Sequence, residues 1–594
     1  MAAAALLCVA ARPQLQQRAV PVLERFRFEG IEALTDEELE SFMLSRSASM
    51  KPWISDPRYD EFLVEEDLER LVDAYRANGY YEAEITTSTE WNEEHTRATV
   101  VFHVAEGEPV LLESLEVAWN PEAPVDASLV ADLESRFRLV PGAIFSLATY
   151  RETRETLLAG LADAGRPAAL LEGSANLDLD TSRARVAWRI DPGPEITLGA
   201  ITLTGLSRVA ESLVRRELLI AEGERYARDA LLATERAIYA LGLFRTVAVR
   251  ASAPAAGSDT WPVEIVVEER SPRTLRVGVG YGTEDEFRGQ VSYSHRNFLG
   301  RARRLGITGK ASSLVLGVDT RITQPRFPDA LTEATIYTSF LHETPPAYDS
   351  DLVLAGVGFE RPLGGPWLGF AGYRFEWGDV TNTTVASNRV TGETLLSFFR
   401  IGVRRDTLDD SLNPSAGTWF EFSVEPAGTA IGSDVDYVRM RAEVRAFAPL
   451  GFLVAAARVR AGTLQPFAGS GRTDVPAFKL FYSGGSNSVR GFKYQHLGPL
   501  DAQGQPEGGL TLGEANFELR FPIWRSLSGV AFVDAGQVSS DPFDLRIGEF
   551  LASAGGGLRL RTPVGSVRLD YGRLLNRPPG VDSGRFYISI GQAF

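Results

Sequence analysis

Side-chain chemistry needs nucleophiles, acids, bases or ligands at fixed spacing, and this chain of 594 residues offers few of them. Its one cysteine, Cys8, excludes disulfide frameworks and cysteine-based zinc sites. His95, His103, His295, His342 and His496 show no ligand spacing, so no metal is expected. Three glycine-rich stretches look like catalytic loops and fail on their neighbours. VGVGYG (277–282) lies inside an alternating strand pattern, where its glycines leave space and do not cradle a pyrophosphate. In LGITGKAS (305–312), Arg304 stands where a phosphate loop has its first glycine, and Ala311 follows Lys310. SGGSNSV (483–489) lacks the second glycine that a nucleophile elbow at Ser486 requires. No Ser/His/Asp set or paired-carboxylate arrangement is visible, so no enzymatic activity and no cofactor are expected. A net charge of -17 opposes a protein that tracks a nucleic-acid backbone.

The elements that would position any site fall into two halves. The chain opens on MAAAALLCVAA, which reads as a leader without the usual basic residues before it, and residues 1–20 are assigned to a leader or a disordered start. No apolar run reaches the ~18 residues of a spanning helix, which leaves a closed β-barrel open as a way through a membrane. In DLERLVDAYRANGYYEAEI, Leu68, Leu71, Val72 and Tyr75 have helical spacing, the pattern stops at Gly79, and a strand follows at once. YRETRETLLAGLADAGRPAALL stops in the same way at Gly165, and DALLATERAIYALGLFRTVAV at Gly242. Each is followed by two strands, the second alternating clearly: RATVVFHVAEGEP, RARVAWRIDPGPE and WPVEIVVEERSP. Each is preceded by a strand (LERFRFEGI, LESLEVAW, LGAITLTGL) and a first helix, which opens in the first repeat on a capping box from Thr35 to Glu38. The order is β-α-α-β-β three times, over residues 21–108, 109–195 and 196–270.

From residue 271 to residue 594 the helical period gives way to period two. In YVRMRAEVRAFA, Arg439, Arg441, Glu443 and Arg445 share one face, with Val438, Met440, Ala442, Val444 and Ala446 on the other. GSVRLDYG sets Arg568 and Asp570 against Val567, Leu569 and Tyr571. Charge filling one face fits a strand between lipid and a wet lumen better than a soluble sandwich or propeller, whose buried face excludes it. The length available, at ~9 to 11 residues per tilted spanning strand plus turns, fits an antiparallel barrel of about sixteen strands. In the closing FYISIGQAF, Phe586, Ile588, Ile590 and Phe594 share one face.

The repeats resemble polypeptide-transport-associated (POTRA) domains, and the final strand resembles the C-terminal signal of bacterial outer-membrane barrels, with Gln592 a departure from the usual apolar residue. FYSGGSNSVRGFKYQHLGP (481–499) is similar to the sixth-loop signature of the BamA/TamA superfamily of outer-membrane assembly proteins, with Val489, Arg490, Gly491 and Phe492 as its core. ANFELRFP, FVDAG and RTPVGSVRLDYG follow in the expected order; IGVRRDTLDDSLNPSAG, GSDVDYV and the three repeats resemble the TamA branch. The resemblance implies that loop six folds back into the lumen, where Arg490 meets the inward carboxylates Glu518 and Asp534. Glu518 shares parity with Glu514, Asn516 and Arg520; Asp534 shares its face with Phe532.

The resemblance further implies a bacterial outer-membrane location with the repeats in the periplasm. Unfolded barrel or autotransporter clients would be received at repeat edges by strand addition, beside outer-membrane lipid and a TamB-like periplasm-spanning partner. A lateral seam would open between Leu275, Val277, Val279 and Tyr281 of the first strand and Phe586, Ile588, Ile590 and Phe594 of the last. The alternatives are a two-partner-type secretion pore, which an extra plug helix would favour, and a passive porin, for which the repeats would have no purpose. If the repeats are three folding units, residues 21–270 expressed alone should be soluble and monomeric, with limited proteolysis cutting near Pro109 and Glu195. One uncuttable domain, or an insoluble product, overturns those boundaries.

Overall fold

The structure, a computed structural model, describes residues 21–46, 58–254, 257–383, 391–524, 526–562 and 565–590. The leader, Gly591 and Phe594 lie outside the described residues. The first repeat contains β1 (Val22–Glu29), α1 (Asp36–Phe42), α2 (Glu61–Ala77), β2 (Glu84–Trp91) and β3 (Arg97–Ala105). The second contains β4 (Leu111–Trp119), α3 (Ala127–Ser135), α4 (Leu147–Asp163), β5 (Leu170–Asp178) and β6 (Arg183–Asp191). The third contains β7 (Thr197–Thr204), α5 (Glu211–Arg215), α6 (Arg228–Tyr239), β8 (Phe244–Ala251) and β9 (Thr260–Glu269).

Each repeat makes a three-stranded sheet with its last strand in the middle, in the orders β1-β3-β2, β4-β6-β5 and β7-β9-β8. The middle strand is parallel to the first and antiparallel to the second in the first two repeats. In β6 alternate residues are buried, Ala184, Val186, Trp188 and Ile190 facing the helices, as the period-two pattern requires. Thr35 caps α1, its Oγ1 accepting from the Glu38 N–H at 3.3 Å while the Glu38 carboxylate accepts from the Thr35 N–H at 2.9 Å. The stop glycines have a shared purpose. Gly79 and Gly165 lie in the left-handed region, and their carbonyls accept from the Val110 and Ile196 N–H groups at 2.9 and 2.7 Å, tying each helix end to the start of the next repeat.

A carboxylate braces the first turn in two of the repeats. Glu106 accepts from the N–H groups of Glu32 and Ala33 and from the Tyr75 hydroxyl, all within 3.0 Å. Glu269 accepts from the N–H groups of Ser207, Arg208 and Val209 at 2.8 to 2.9 Å and from the Ser207 hydroxyl. Pro192 stands at this place in the second repeat and can accept nothing through its side chain.

The remainder closes into one antiparallel barrel of sixteen strands in chain order. They are β10 (Arg273–Gly282), β11 (Glu286–His295), β12 (Arg304–Ala311), β13 (Val315–Gln324), β14 (Glu333–Glu343), β15 (Tyr348–Gly364), β16 (Trp367–Thr383) and β17 (Gly392–Asp406). The second eight are β18 (Gly417–Ala427), β19 (Tyr437–Leu450), β20 (Leu453–Pro466), β21 (Thr511–Trp524), β22 (Leu527–Ser539), β23 (Leu551–Thr562), β24 (Gly565–Leu574) and β25 (Gly584–Ile590). Leu275, Val277, Val279, Phe517, Val533 and Phe586 are exposed on the outside, while Glu514, Asp534 and Asp570 are buried within. No helix among the described residues is long and apolar enough to cross a membrane.

Burial works to raise the Glu269 pKa, and the hydrogen bonds from Ser207, Arg208 and Val209 outweigh it, holding the group at about 2. A depressed carboxylate stabilises the fold above its unfolded pKa of about 4.3 and loses that contribution as pH falls towards 2. Glu269→Gln should therefore speed amide exchange over residues 206–218 of the intact chain at pH 7, and the gap from the parent should shrink between pH 4.5 and pH 2. A pH-independent gap would show that ionisation of Glu269 is not what braces the turn.

Candidate functional site

The site is built by the segment between β20 and β21, which turns back inside the barrel and is buried there. Val489, Arg490 and Phe492 are each at most 3% exposed. Val489, Phe492 and Leu497 pack with Val538 of β22 and Leu574 of β24, so apolar contacts seat the segment before its charge is considered. Its backbone approaches β24 closely at Gly491, whose left-handed φ of 100° and close neighbour Leu574 leave no room for a side chain.

This seating points Arg490 at two strands. Its Nε and Nη2 donate to the two oxygens of Asp534 at 2.7 and 2.8 Å, a bidentate pair, and its Nη1 donates to Glu518 at 2.7 Å. The Arg490 N–H adds a 3.1 Å bond to Asp534. Phe532, which shares the inward face with Asp534, lies with its ring centroid 3.4 Å from the guanidinium carbon, so the aromatic residue on that face is the floor on which the arginine rests.

Several partners were not singled out from the sequence. Asp570, fully buried on β24, sits 3.8 Å from Arg490 and accepts from Arg559 at 2.5 Å and Arg568 at 2.6 Å. Asn516 bridges Asp534 and the Ser488 carbonyl. Glu514 accepts from the hydroxyls of Ser483 and Ser488 and from Arg460. Parity placed Asp570, Glu514 and Asn516 on the inward face; parity cannot say which inward residues the loop will reach. Tyr587 of β25 accepts from the Gly491 N–H at 2.9 Å and donates to the Phe492 carbonyl at 2.5 Å. Glu284, in the turn after β10, accepts from the Ser486 N–H at 2.7 Å and hydroxyl at 2.6 Å.

At the seam, Tyr281 and Ile590, both expected there, face one another. Among the described residues the β10·β25 ladder joins Tyr281 to Ile590 and Gly282 to Ser589, continued by a Thr283 N–H donating to the Ile588 carbonyl at 3.0 Å. Leu275, Val277 and Val279 pair with Tyr293, Val291 and Gly289 of β11 and with no described residue of β25. Phe586 and Ile588 pair with Tyr571 and Leu569 of β24. The described part of β25 meets β10 at the end of β10 that leads into β11. Phe594 lies outside the described residues.

The chain matches the Omp85 superfamily domain over residues 297–594, and the POTRA family described as surface antigen variable number repeat over residues 21–107 and 196–270. The outer membrane protein assembly factor BamA of Nitratidesulfovibrio vulgaris is 24% identical, over 96% of this chain and 73% of the relative. BamA of Neisseria meningitidis serogroup B is 22% identical over 96% and 77%. The crystal structure of BamA from Haemophilus ducreyi lacking POTRA domains 1–3 superposes with a TM-score of 0.70 at 19% identity, covering 81% of this chain and 99% of that one, a likeness of fold.

Removing one member of a buried pair costs ~3 to 5 kcal/mol, less where the lumen is wet. Arg490→Ala and Asp534→Ala should each destabilise the barrel, and together by far less than the sum, in a double-mutant cycle read by heat denaturation. Strict additivity would exclude the pairing.

Proposed function

This chain belongs to the Omp85 superfamily, and from that premise we propose that it is an outer-membrane protein assembly factor that receives unfolded clients on its POTRA repeats and releases them into lipid through its barrel seam. It is an outer-membrane β-barrel with POTRA domains in the periplasm. The observation that carries the reading is the seam. Every other neighbouring strand pair in the barrel has at least seven residues in register, while β10 and β25 have two among the described residues. At ~0.5 to 1.5 kcal/mol net per hydrogen bond, the described part of this ladder contributes little to holding the two strands together.

The repeats supply the receiving surface in this proposal. β2 and β5 are sheet edges whose residues are mostly exposed, so an extended client can add to them as a further strand. The free energy for insertion would come from the client's own hydrogen bonding and apolar burial as it leaves the seam. The same premise extends to finer identity: a TamA-type factor, with autotransporters among its clients and a TamB-like partner at the first repeat. Three repeats of one architecture ahead of the barrel support that extension.

The test is a covalent seam. In a Cys8→Ser background, Tyr281→Cys with Ile590→Cys should form a disulfide, stop client insertion in cells, and release it on reduction. A fully oxidised pair that leaves insertion unchanged would remove lateral opening from the mechanism and favour the secretion-pore reading.

A further inference from the structure

At the seam, the VGVGYG segment leaves room for a side chain to cross from β11 to β25. Arg288 on β11 stands directly opposite Gly280 on β10. Its side chain crosses β10 to the far strand: Nη2 donates to the Ser589 hydroxyl at 2.9 Å and to the Ile590 carbonyl at 3.4 Å, both on β25. Nη1 donates to Asp285 at 3.0 Å, in the turn that joins β10 to β11. The guanidinium is almost wholly buried, with its side chain 6% exposed.

The crossing depends on two missing side chains. A Cβ on Gly280 would lie 2.7 Å from Arg288 Nε and 2.6 Å from the Ile590 carbonyl oxygen, and one on Gly282 would lie 2.2 Å from Asp285 Oδ1. Neither glycine has a left-handed φ, so backbone conformation does not call for them. The space they leave is occupied by the arginine and its aspartate.

We propose that Arg288, lying in the slot made by Gly280 and Gly282, is a positioning residue that staples the seam closed and sets how often it opens. The proposal rests on the reading of the seam as the exit route. The arginine is attached to the β10 lip through Asp285 and to the β25 lip through Ser589 and Ile590. On opening it leaves Ser589 and Ile590 and keeps Asp285, so the charge retains a carboxylate partner. Loop six reaches the same two lips, Glu284 holding Ser486 beside the β10 turn and Tyr587 holding Gly491 and Phe492 from β25. The staple bears on the gap itself; the loop bears on the lips from inside.

The test uses the full chain in vesicles of phosphatidylethanolamine and phosphatidylglycerol, without client. The Tyr281→Cys/Ile590→Cys pair in the Cys8→Ser background reports closure by its rate of disulfide formation under a fixed oxidant. Arg288→Gln and Gly280→Ala should each slow that rate at least fivefold, Ser589→Ala should slow it less, and Arg288→Lys should fall between parent and Arg288→Gln. The heat denaturation of the barrel should stay within a few degrees of the parent, because the Arg490 cluster is untouched. Ser589→Ala retains the arginine and removes only its hydroxyl partner on β25, so it decides the matter if Arg288→Gln fails to fold. Disulfide formation at the parent rate in both variants would overturn the proposal. Slower closure with unchanged client insertion in cells would leave the staple standing and count against the seam as the exit route.

Discussion

A guanidinium inside a barrel must be paired, and Arg490 is paired so fully that much of the lumen is arranged around it. Two strands supply carboxylates, one of them bidentate, a third strand adds Asp570 nearby, and an aromatic ring closes the remaining face. Desolvating these charges is expensive, and the cost is offset only while all of them stay in place. The loop carrying the arginine is therefore held in one position by a requirement that cannot be met halfway, and β21, β22 and β24 are held to one another through it.

From that point the loop reaches other parts of the wall. Lys479 forms a buried ion pair with Glu376 of β16 and lies 4.3 Å from the Phe398 ring, fixing the start of the loop on the side away from the seam. Ser486 and the Gly491–Phe492 backbone fix its middle to the two strands that border the seam. A segment tied at its start, at its centre and to both lips is held by contacts on several strands at once.

Most of this architecture was legible in the chain because its periods are set by backbone geometry. The helix pattern ending at Gly79 and Gly165, and the strict alternation in YVRMRAEVRAFA and GSVRLDYG, depend only on where successive side chains point. Arg490, Glu518 and Asp534 were legible through a family resemblance joined to parity. Phe532 shows the limit: parity placed it on the face of Asp534 without saying what it does there, and a flat ring under a guanidinium is a favourable neighbour. Tyr587, Glu284 and Arg288 were invisible for another reason. Each acts across a distance set by the stagger of closed strands, and stagger follows from turn lengths and ladder register that no local pattern contains.

The same stagger brings a polar side chain to the seam. The described end of β25 meets β10 at Tyr281 and Gly282, beside the slot at Gly280. A backbone acceptor at a strand border is costly to leave unmet in lipid, where water cannot replace its partner. An apolar side chain there would exclude water without satisfying a single acceptor. A long cation that donates to a carbonyl and a hydroxyl of β25 satisfies both, and Asp285 keeps it paired when another strand takes those acceptors. One side chain lying in a slot of two glycines thus adds a polar bond across the seam that can be released without leaving its own charge bare.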